Sequence, residues 1–274
     1  MTHAEIVASI DRDGYARIPG VLSPDQVALG LERVTHWFRE THEKLSPNKP
    51  YLASDDCFVW NLQNKDYAFL ELFFGAEPVQ AVLRHFLNDP WFKQIPPGDP
   101  NYILRNFLGR TSNERLPMHI DSLVPYSGEF CFVMQAAFIL EDQDAENGCT
   151  VIVPGSHRSG QYVDQAAFDT AVPVESKAGD VVIWDSRIWH GASENRSGRS
   201  RWSLIATCTR WWLKQGFDIP YNLPQEIYER LTPPEKAVLG FCSLPYANEM
   251  EGIDMKRGYD SLAPRVSDYR RKSG

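Results

Sequence analysis

The sequence has few cysteines, and their spacing is not that of a disulfide-rich or zinc-binding protein. Five cysteines occur in 274 residues, an odd number, and no two of them form a CxxC pair. Disulfide frameworks use an even set of cysteines, and structural zinc sites use closely paired ligands. The sequence therefore argues against both, and it predicts buried, reduced thiols.

Long hydrophobic runs are also missing. The longest apolar stretches, such as 130–140, are far shorter than the roughly 20 residues that a membrane helix needs. The first 20 residues carry Glu5, Asp11, Arg12 and Asp13 instead of the apolar core of a signal peptide. We therefore expect a cytoplasmic protein without a membrane partner.

The sequence has fewer basic than acidic residues. Lys and Arg total 28 against 36 Asp and Glu, which gives a formal net charge of −8 at pH 7. A nucleic-acid-binding surface needs basic side chains to neutralise phosphates, so we do not expect nucleic acid as a partner. With 43% hydrophobic and 12% aromatic residues, the composition is that of a globular protein with a proper core.

Nothing in the sequence marks a domain boundary. We predict a single domain, 1–274, with a helical part at about 1–100, a β core at about 101–213 and a C-terminal helical extension at about 214–274. Helix start signals stand at Thr2 and at Ser23-Pro24, the second for a helix that runs to about residue 43. Further helices are predicted at 67–74, 78–87, 224–231 and 233–239, and a strand at 15–18.

Short strand-like runs separated by turns fill the middle of the chain. The turn signals include Glu146-Asn147-Gly148, Pro154-Gly155 and the polar loop 191–200. Such spacing is typical of an all-β barrel or sandwich, so the predicted fold class is an all-β core with flanking helices. The predicted strands cover 102–108, 129–140, 150–153, 180–184 and 201–212.

Two side chains that bind metals stand two positions apart, at His119 and Asp121. In an extended segment both project from one face and can hold the same cation, although a salt-bridged surface pair is the alternative. His190 follows 71 residues later, at the end of an apolar run, where a second strand-end imidazole is expected. Two histidines and one carboxylate form the facial triad that leaves open positions on Fe(II). Zinc would prefer a closed tetrahedral set, and no fourth ligand is obvious.

Arg201 lies 11 residues beyond His190. The intervening loop is long enough to reverse the chain, so an antiparallel return strand would bring the guanidinium beneath the histidine. Arginine binds carboxylates in a bidentate fork, which suits a dicarboxylate co-substrate that chelates the metal at its other end. Arg196 and Arg199 are rivals, but they sit among Ser and Gly in the turn. A surface arginine is the alternative for all three.

A longer ordered set of short motifs runs through most of the chain. The motifs are Asp13-Gly14-Tyr15, Pro19-Gly20-Val21-Leu22-Ser23, His119-x-Asp121, Glu146-Asn147-Gly148, Val153-Pro154-Gly155-Ser156-His157, Gly179-Asp180, Trp184-Asp185-Ser186-Arg187, His190-Gly191 and Arg201. Together they resemble the phytanoyl-CoA dioxygenase (PhyH-like) family of Fe(II)/2-oxoglutarate-dependent oxygenases. The resemblance implies a double-stranded β-helix (jelly-roll, cupin-like) core. It also implies Fe(II), 2-oxoglutarate and O2, with His119, Asp121 and His190 as catalytic iron ligands and Arg201 as partner of the far carboxylate of 2-oxoglutarate.

Further cofactor-binding candidates stand around the triad. Asn106 resembles a family position whose side chain supports 2-oxoglutarate, and a buried polar residue on an apolar strand needs a partner. Tyr102 shares the predicted strand face of Asn106, with core packing as the alternative. Gln135 interrupts an apolar strand and is either an inward-facing contact or an edge residue.

Two other positions bear on the ligand set. His157 is a competing ligand, because it is the only other histidine in the predicted β region. Ala192 departs from the family pattern, in which a hydroxyl residue often stands two positions after the distal histidine. One hydrogen bond to 2-oxoglutarate is therefore in question.

The resemblance implies conversion of 2-oxoglutarate to succinate and CO2, coupled to oxidation of a small-molecule metabolite. A carboxylate at Asp121 favours hydroxylation of an unactivated C–H bond, because related halogenases have a small residue there and chloride takes its place. Desaturation, ring closure and epimerisation use the same triad and stay open. A non-catalytic β-helix binding module, or a cupin-like metal enzyme without an oxo-acid, are alternatives of other classes.

The substrate is less constrained by the sequence. The family name suggests an acyl-CoA, but the net charge of −8 and the lack of a Gly-rich phosphate cradle favour a small metabolite. The candidate pocket segments are 51–63, with Phe58, Trp60 and Asn61, then 111–117 and 122–126.

Overall fold

The computed structural model describes residues 1–44, 56–245, 249 and 258–262. Its helices are α1 (His3–Asp13), α2 (Pro24–Lys44), α3 (Tyr67–Gly75), α4 (Glu77–Leu87), α5 (Ile219–Asn222), α6 (Gln225–Arg230) and α7 (Pro233–Val238). Its strands are β1 (Tyr15–Ile18), β2 (Asp56–Trp60), β3 (Ile103–Ser112), β4 (Leu116–His119), β5 (Val133–Ile139), β6 (Thr150–Ile152), β7 (Val172–Pro173), β8 (Val181–Asp185), β9 (His190–Ala192) and β10 (Ser203–Thr209).

The strands form two antiparallel sheets. The large sheet has six strands in the order β1-β8-β5-β10-β3-β2, and the small sheet has four in the order β4-β9-β6-β7. A small hydrophobic cluster that includes Ile152 from β6 and Val182 from β8 packs between the two sheets. Two facing sheets with these crossed connections form a double-stranded β-helix, so the predicted fold class is confirmed.

The main hydrophobic core lies between the helices and the other face of the large sheet. Phe73 from α3, Phe107 from β3 and Phe138 from β5 meet there, with ring centroids 5.9 to 6.4 Å apart. Each fully buried side chain of this size contributes about 1.5–3 kcal/mol. Because strand side chains alternate, the residues between these core positions face the small sheet instead. One face of the large sheet is therefore left to build a site.

Side-chain caps begin the N-terminal helices where the sequence predicts. The Thr2 hydroxyl accepts a hydrogen bond from the backbone N–H of Glu5, and the Glu5 carboxylate accepts one from Thr2. Ser23 and Gln26 make the same reciprocal pair at the start of α2. These capping boxes satisfy N–H groups that a helix leaves unpaired. Gly14, with φ +87°, ends α1 and turns the chain into β1.

The sequence did not predict strands β2, β4, β7 and β9. Three of them have four residues or fewer, and Pro117 and Pro173 stand within β4 and β7. Proline lowers the strand signal of a short run, so these segments look like loops until their partners are present. Conversely, the predicted strands 129–140 and 201–212 are too long, because the strands themselves cover Val133–Ile139 and Ser203–Thr209.

Strands β9 and β10 lie in different sheets. β9 pairs with β4 and β6, whereas β10 pairs with β3 and β5. The prediction that an antiparallel return strand carries Arg201 back beneath His190 is therefore wrong. The two residues instead line a common cavity from opposite sheets.

A β-bulge interrupts β3 at Arg105. Asn106 is opposite Thr207 on β10 and Leu104 is opposite Cys208, so Arg105 is the extra residue. Because a bulge reverses the alternation of side chains, Asn106 faces the small sheet and Leu104 faces the core. Tyr102, two residues before Leu104, faces the core as well, so the prediction that Tyr102 and Asn106 share a strand face is wrong.

None of the five cysteines forms a disulfide bond. Cys57 is half-buried, and Cys131, Cys149, Cys208 and Cys242 are buried. Burial raises the pKa of Cys149 to about 11 and that of Cys242 to about 12. These buried thiols agree with the sequence prediction. Among the described residues, no helix is both long and apolar enough to cross a membrane.

Candidate active site

Three side chains that could bind a metal meet at one end of the small sheet. His119 ends β4 and His190 begins β9, and the two are opposite each other in the ladder. Asp121 follows β4, where its backbone N–H donates to the carbonyl of Ser186 at 2.8 Å. One ligand atom from each of the three lies within 4.8 Å of the others. The fold thus brings together the triad that the sequence predicts.

The carboxylate of Asp121 lies between the two imidazoles. Its Oδ1 is 3.4 Å from His119 Nε2, and its Oδ2 is 3.2 Å from His190 Nε2. Burial raises the pKa of Asp121, but the two imidazoles outweigh burial and hold its pKa well below the ordinary value. The acid is therefore ionised, as a metal ligand must be.

Backbone carbonyls set the orientation of both imidazoles. Nδ1 of His119 is 3.0 Å from the carbonyl oxygen of Pro117, and Nδ1 of His190 is 3.1 Å from that of Ile188. A carbonyl only accepts hydrogen bonds, so we assign the ring proton of each neutral histidine to Nδ1. Each Nε2 faces the carboxylate of Asp121, and when a cation displaces its proton, each Nε2 directs its lone pair at the space beside Asp121. Metal-binding histidines use this arrangement, so the donor set fits a divalent cation such as Fe(II).

A cavity of about 270 Å³ lies next to the triad, between the two sheets. The small sheet supplies the potential metal ligands, and the large sheet supplies most of the other walls. Trp184 and Ile205 are among its apolar residues. Its other polar residues are Asn106, Arg110, Gln135, Gln143, Thr150, Arg201, Ser203 and Thr207.

Arg201 is buried in the wall of this cavity, with 3% of its surface exposed. Its Nε donates to the carbonyl of Ser112 at 3.3 Å, which fixes the direction of the guanidinium. Gly148, with φ +86°, packs beside it, and a Cβ there would lie 3.1 Å from Nε and 2.6 Å from the carbonyl oxygen of Ser193. The Glu146-Asn147-Gly148 turn therefore keeps clear the space that Arg201 occupies.

The two rival arginines lie elsewhere. Arg196 is 80% exposed and pairs with Glu194, and Arg199 is 54% exposed and pairs with Asp144. Neither lines the cavity. Of the three arginines in this loop, only Arg201 reaches the triad's cavity, because it lies two residues before the start of β10.

Asn106 and Gln135 line the cavity, as the sequence predicts for residues that face a bound co-substrate. Gln135 is 6% exposed, and its Oε1 accepts a hydrogen bond of 2.6 Å from the hydroxyl of Thr207. Thr207 is opposite both residues in the sheet. Thr207 was not predicted as a cavity residue, although its alternation with Ser203 and Ile205 on one strand was a usable signal.

Tyr102 and His157 lie outside this cavity. Tyr102 is fully buried in the main core, where its hydroxyl donates to Oε1 of Gln80. A cofactor contact by Tyr102 is therefore wrong, because the bulge at Arg105 turns it to the opposite face. His157 lines a different cavity with Asp185 and Arg187, so it is not a rival ligand among the described residues. Ala192 does line the triad's cavity and offers no hydroxyl there.

The substitution Tyr102→Phe distinguishes a role of Tyr102 in the core from a contact with 2-oxoglutarate. It removes the only hydroxyl on the ring and leaves the buried Oε1 of Gln80 without that donor, so the free energy of unfolding is expected to fall by about 1–3 kcal/mol. Affinity for 2-oxoglutarate is expected to be unchanged. Denaturant unfolding and anaerobic 2-oxoglutarate titration measure the two effects. If the variant bound 2-oxoglutarate more weakly while its free energy of unfolding were unchanged, Tyr102 would be a co-substrate contact after all.

Arg110 is a second cavity residue that was not predicted from the sequence. It lies four residues after Asn106 on β3, lines the cavity and is 7% exposed. Its Cζ lies 5.2 Å from the centroid of the Phe58 ring. Phe58 and Trp60 line the same cavity from β2, in agreement with their prediction as pocket residues. Asn61 does not, because its αL backbone (φ 59°) turns the chain away from β2.

The other predicted pocket segments contribute single residues. From 111–117, Leu116 lines the cavity, and from 122–126, Leu123 lines the hollow outside it. Residues 51–55 of the remaining segment lie outside the described residues.

A double-stranded β-helix that gathers two imidazoles, a carboxylate and a buried arginine around one cavity defines a 2-oxoglutarate-dependent non-haem iron dioxygenase, an enzyme that uses Fe(II), 2-oxoglutarate and O2. The family model of phytanoyl-CoA dioxygenase (PhyH) matches residues 10–203. The chain therefore belongs to the phytanoyl-CoA dioxygenase family, as its motifs predict.

Known proteins of this kind are similar to most of the chain. Dioxygenase af480 of Aspergillus fumigatus is 25% identical over 265 residues, which cover 93% of this chain and 82% of that protein. HygX of Streptomyces hygroscopicus, solved with nickel and 2-oxoglutarate, has 19% identity and a TM-score of 0.59 over 78% of this chain and 89% of HygX. SnoN, an α-ketoglutarate-dependent epimerase from nogalamycin biosynthesis, has 22% identity and a TM-score of 0.57 over 76% of this chain and 82% of SnoN. The two solved structures support the fold.

Proposed function

We propose that this enzyme hydroxylates an unactivated C–H bond of a small-molecule metabolite while 2-oxoglutarate is converted to succinate and CO2. The observation that carries the proposal is the position of Asp121 between the two imidazoles, 3.4 and 3.2 Å from their Nε2 atoms. A carboxylate there completes the facial triad. It also occupies the place that a halide would need in a halogenase.

In this proposal, Nε2 of His119, Nε2 of His190 and one carboxylate oxygen of Asp121 hold Fe(II). Bound there, Fe(II) supplies the activation of O2 for attack on a C–H bond. The carbonyls of Pro117 and Ile188 keep both Nδ1 protons in place, so neither ring can turn away from the metal. The ionised Asp121 offsets part of the metal charge inside the protein.

Arg201 binds the far carboxylate of 2-oxoglutarate in this proposal. Its guanidinium is the fork that a carboxylate needs, and its burial at 3% exposure removes competition from water. Asn106 and the Gln135–Thr207 pair line the same cavity and orient the co-substrate between Arg201 and the triad. Ala192 gives no hydrogen bond, so the co-substrate depends more heavily on Arg201.

The test is a screen of metabolite classes for substrate-stimulated release of succinate, followed by mass spectrometry of the product. A gain of one oxygen atom is expected. A product that has lost two hydrogens would indicate desaturation or ring closure instead of hydroxylation. A product of unchanged mass would indicate epimerisation, the reaction named for SnoN. The matched control is Arg196→Ala, an exposed arginine of the same loop, which is expected to turn over like the unmodified enzyme.

A further inference from the structure

The cavity beside the triad opens into a second hollow of about 330 Å³, here called the outer cleft. The outer cleft shares Trp60, Asn106, His119, Asp121, Gln135 and Thr207 with the inner cavity. Its own walls are Arg105, Ile120, Leu123, Gly216 and Phe217. A molecule in the outer cleft therefore reaches the proposed metal ligands without occupying the space beside Arg201.

Arg105 is the bulge residue of β3, and a bulge re-aims a side chain. Its backbone carbonyl accepts a hydrogen bond from the N–H of Gly216 at 3.1 Å. Its Cγ lies 3.9 Å from the place where a Cβ on Gly216 would stand, so the arginine stem runs along the wall beside Gly216. Within residues 1–44, 56–245, 249 and 258–262, no hydrogen bond or ion pair engages its guanidinium.

Asp121 is the only carboxylate among the described residues that line the outer cleft. It is already held by the two imidazoles, so it does not neutralise Arg105. A half-buried cation beside a cleft without a free acid is an attractive place for an anion. Arg201 lines the inner cavity but not the outer cleft, and the reverse is true of Arg105. The two arginines therefore serve two different ligands.

The rim of the outer cleft is apolar and partly open to solvent. Trp60 is 38% exposed and Phe217 36% exposed, with ring centroids 5.8 Å apart. Leu123, two residues after Asp121, is 66% exposed and has a φ of 66°, a backbone conformation that a leucine rarely adopts. Such strain persists where the fold enforces it, often beside functional sites. These three side chains form an apolar rim above the metal ligands.

We propose that the outer cleft binds a substrate that combines a carboxylate with an apolar body. Arg105 binds the carboxylate, and Trp60, Phe217 and Leu123 cover the body. The inference rests on the proposed function, because it places the oxidised carbon next to the metal held by His119 and Asp121. A single guanidinium matches one carboxylate, whereas the overall charge of −8 opposes a multiply charged phosphate ester.

The test compares two probes of the same shape, 2-naphthoate and its neutral amide, 2-naphthamide. Each is titrated by calorimetry into anaerobic protein loaded with Fe(II) and saturating 2-oxoglutarate, while the visible band of the iron–2-oxoglutarate complex is recorded. The naphthoate is expected to bind about two- to fivefold more tightly than the amide, the range of a partly exposed ion pair. The band is expected to persist, because Arg201 and the triad are not displaced.

Three variants test whether Arg105 causes the preference for 2-naphthoate over 2-naphthamide. Arg105→Gln is expected to bind both probes equally, Arg105→Lys to keep part of the preference, and Arg196→Gln, an exposed arginine elsewhere, to keep all of it. Equal binding of the two probes by the unmodified protein, failure of the naphthoate to bind, or a preference that survives in Arg105→Gln would overturn the inference. Absence of the visible band before any probe is added would instead overturn the proposed function.

Discussion

Replacement of Arg201 by alanine is expected to abolish the weak visible band that anaerobic Fe(II) and 2-oxoglutarate give with the unmodified protein. The guanidinium is 3% exposed and faces the cavity from the large sheet. Removal of one partner of a buried, hydrogen-bonded charge pair costs about 2–5 kcal/mol, which is about 30-fold to several thousandfold in affinity. Titration of the band with 2-oxoglutarate measures the loss directly.

The two rival arginines of the same loop are the controls for Arg201. Arg196→Ala and Arg199→Ala remove side chains that are 80% and 54% exposed, and both are expected to retain the band at unchanged affinity. Loss of the band in either one, with retention in Arg201→Ala, would transfer the co-substrate contact to that arginine. A protein that shows no band at all would favour a metal enzyme that uses no oxo-acid.

Substitution of any member of the triad by alanine is expected to end coupled turnover. Loss of a residue that merely orients a metal ligand costs about 10- to 100-fold in metal affinity, so loss of a ligand itself is expected to cost about 100-fold or more. Metal affinity is measured by competition with a chelator, and turnover by succinate release. The variants are His119→Ala, Asp121→Ala and His190→Ala.

Folding controls accompany the triad variants. His119 and Asp121 are 36% and 24% exposed, so neither truncation opens a large cavity, and the far-ultraviolet circular dichroism is expected to be unchanged. Asp121→Asn keeps the size of the side chain while removing its charge, and it is expected to lose metal affinity as well. Full activity of any triad variant would remove the proposed iron site.

The sequence by itself predicted the features that depend on neighbouring residues. The caps at Thr2 and Ser23 follow from side chains three positions away, and the pairing of His119 with Asp121 follows from the alternation of an extended segment. The order of the motifs, from Asp13-Gly14-Tyr15 to Arg201, was sufficient for the family. None of these inferences required knowing which strands pair.

Only the tertiary structure decided which face each residue of the β core presents. One extra residue in β3, Arg105, sends Tyr102 into the core and Asn106 into the cavity, although the local pattern places them together. Arg201 and His190 face one cavity from two different sheets, and they are not neighbours in one ladder. The physical reason is that strand pairing joins residues far apart in the chain, and a bulge exists only relative to a partner strand. No local window of sequence contains that partner.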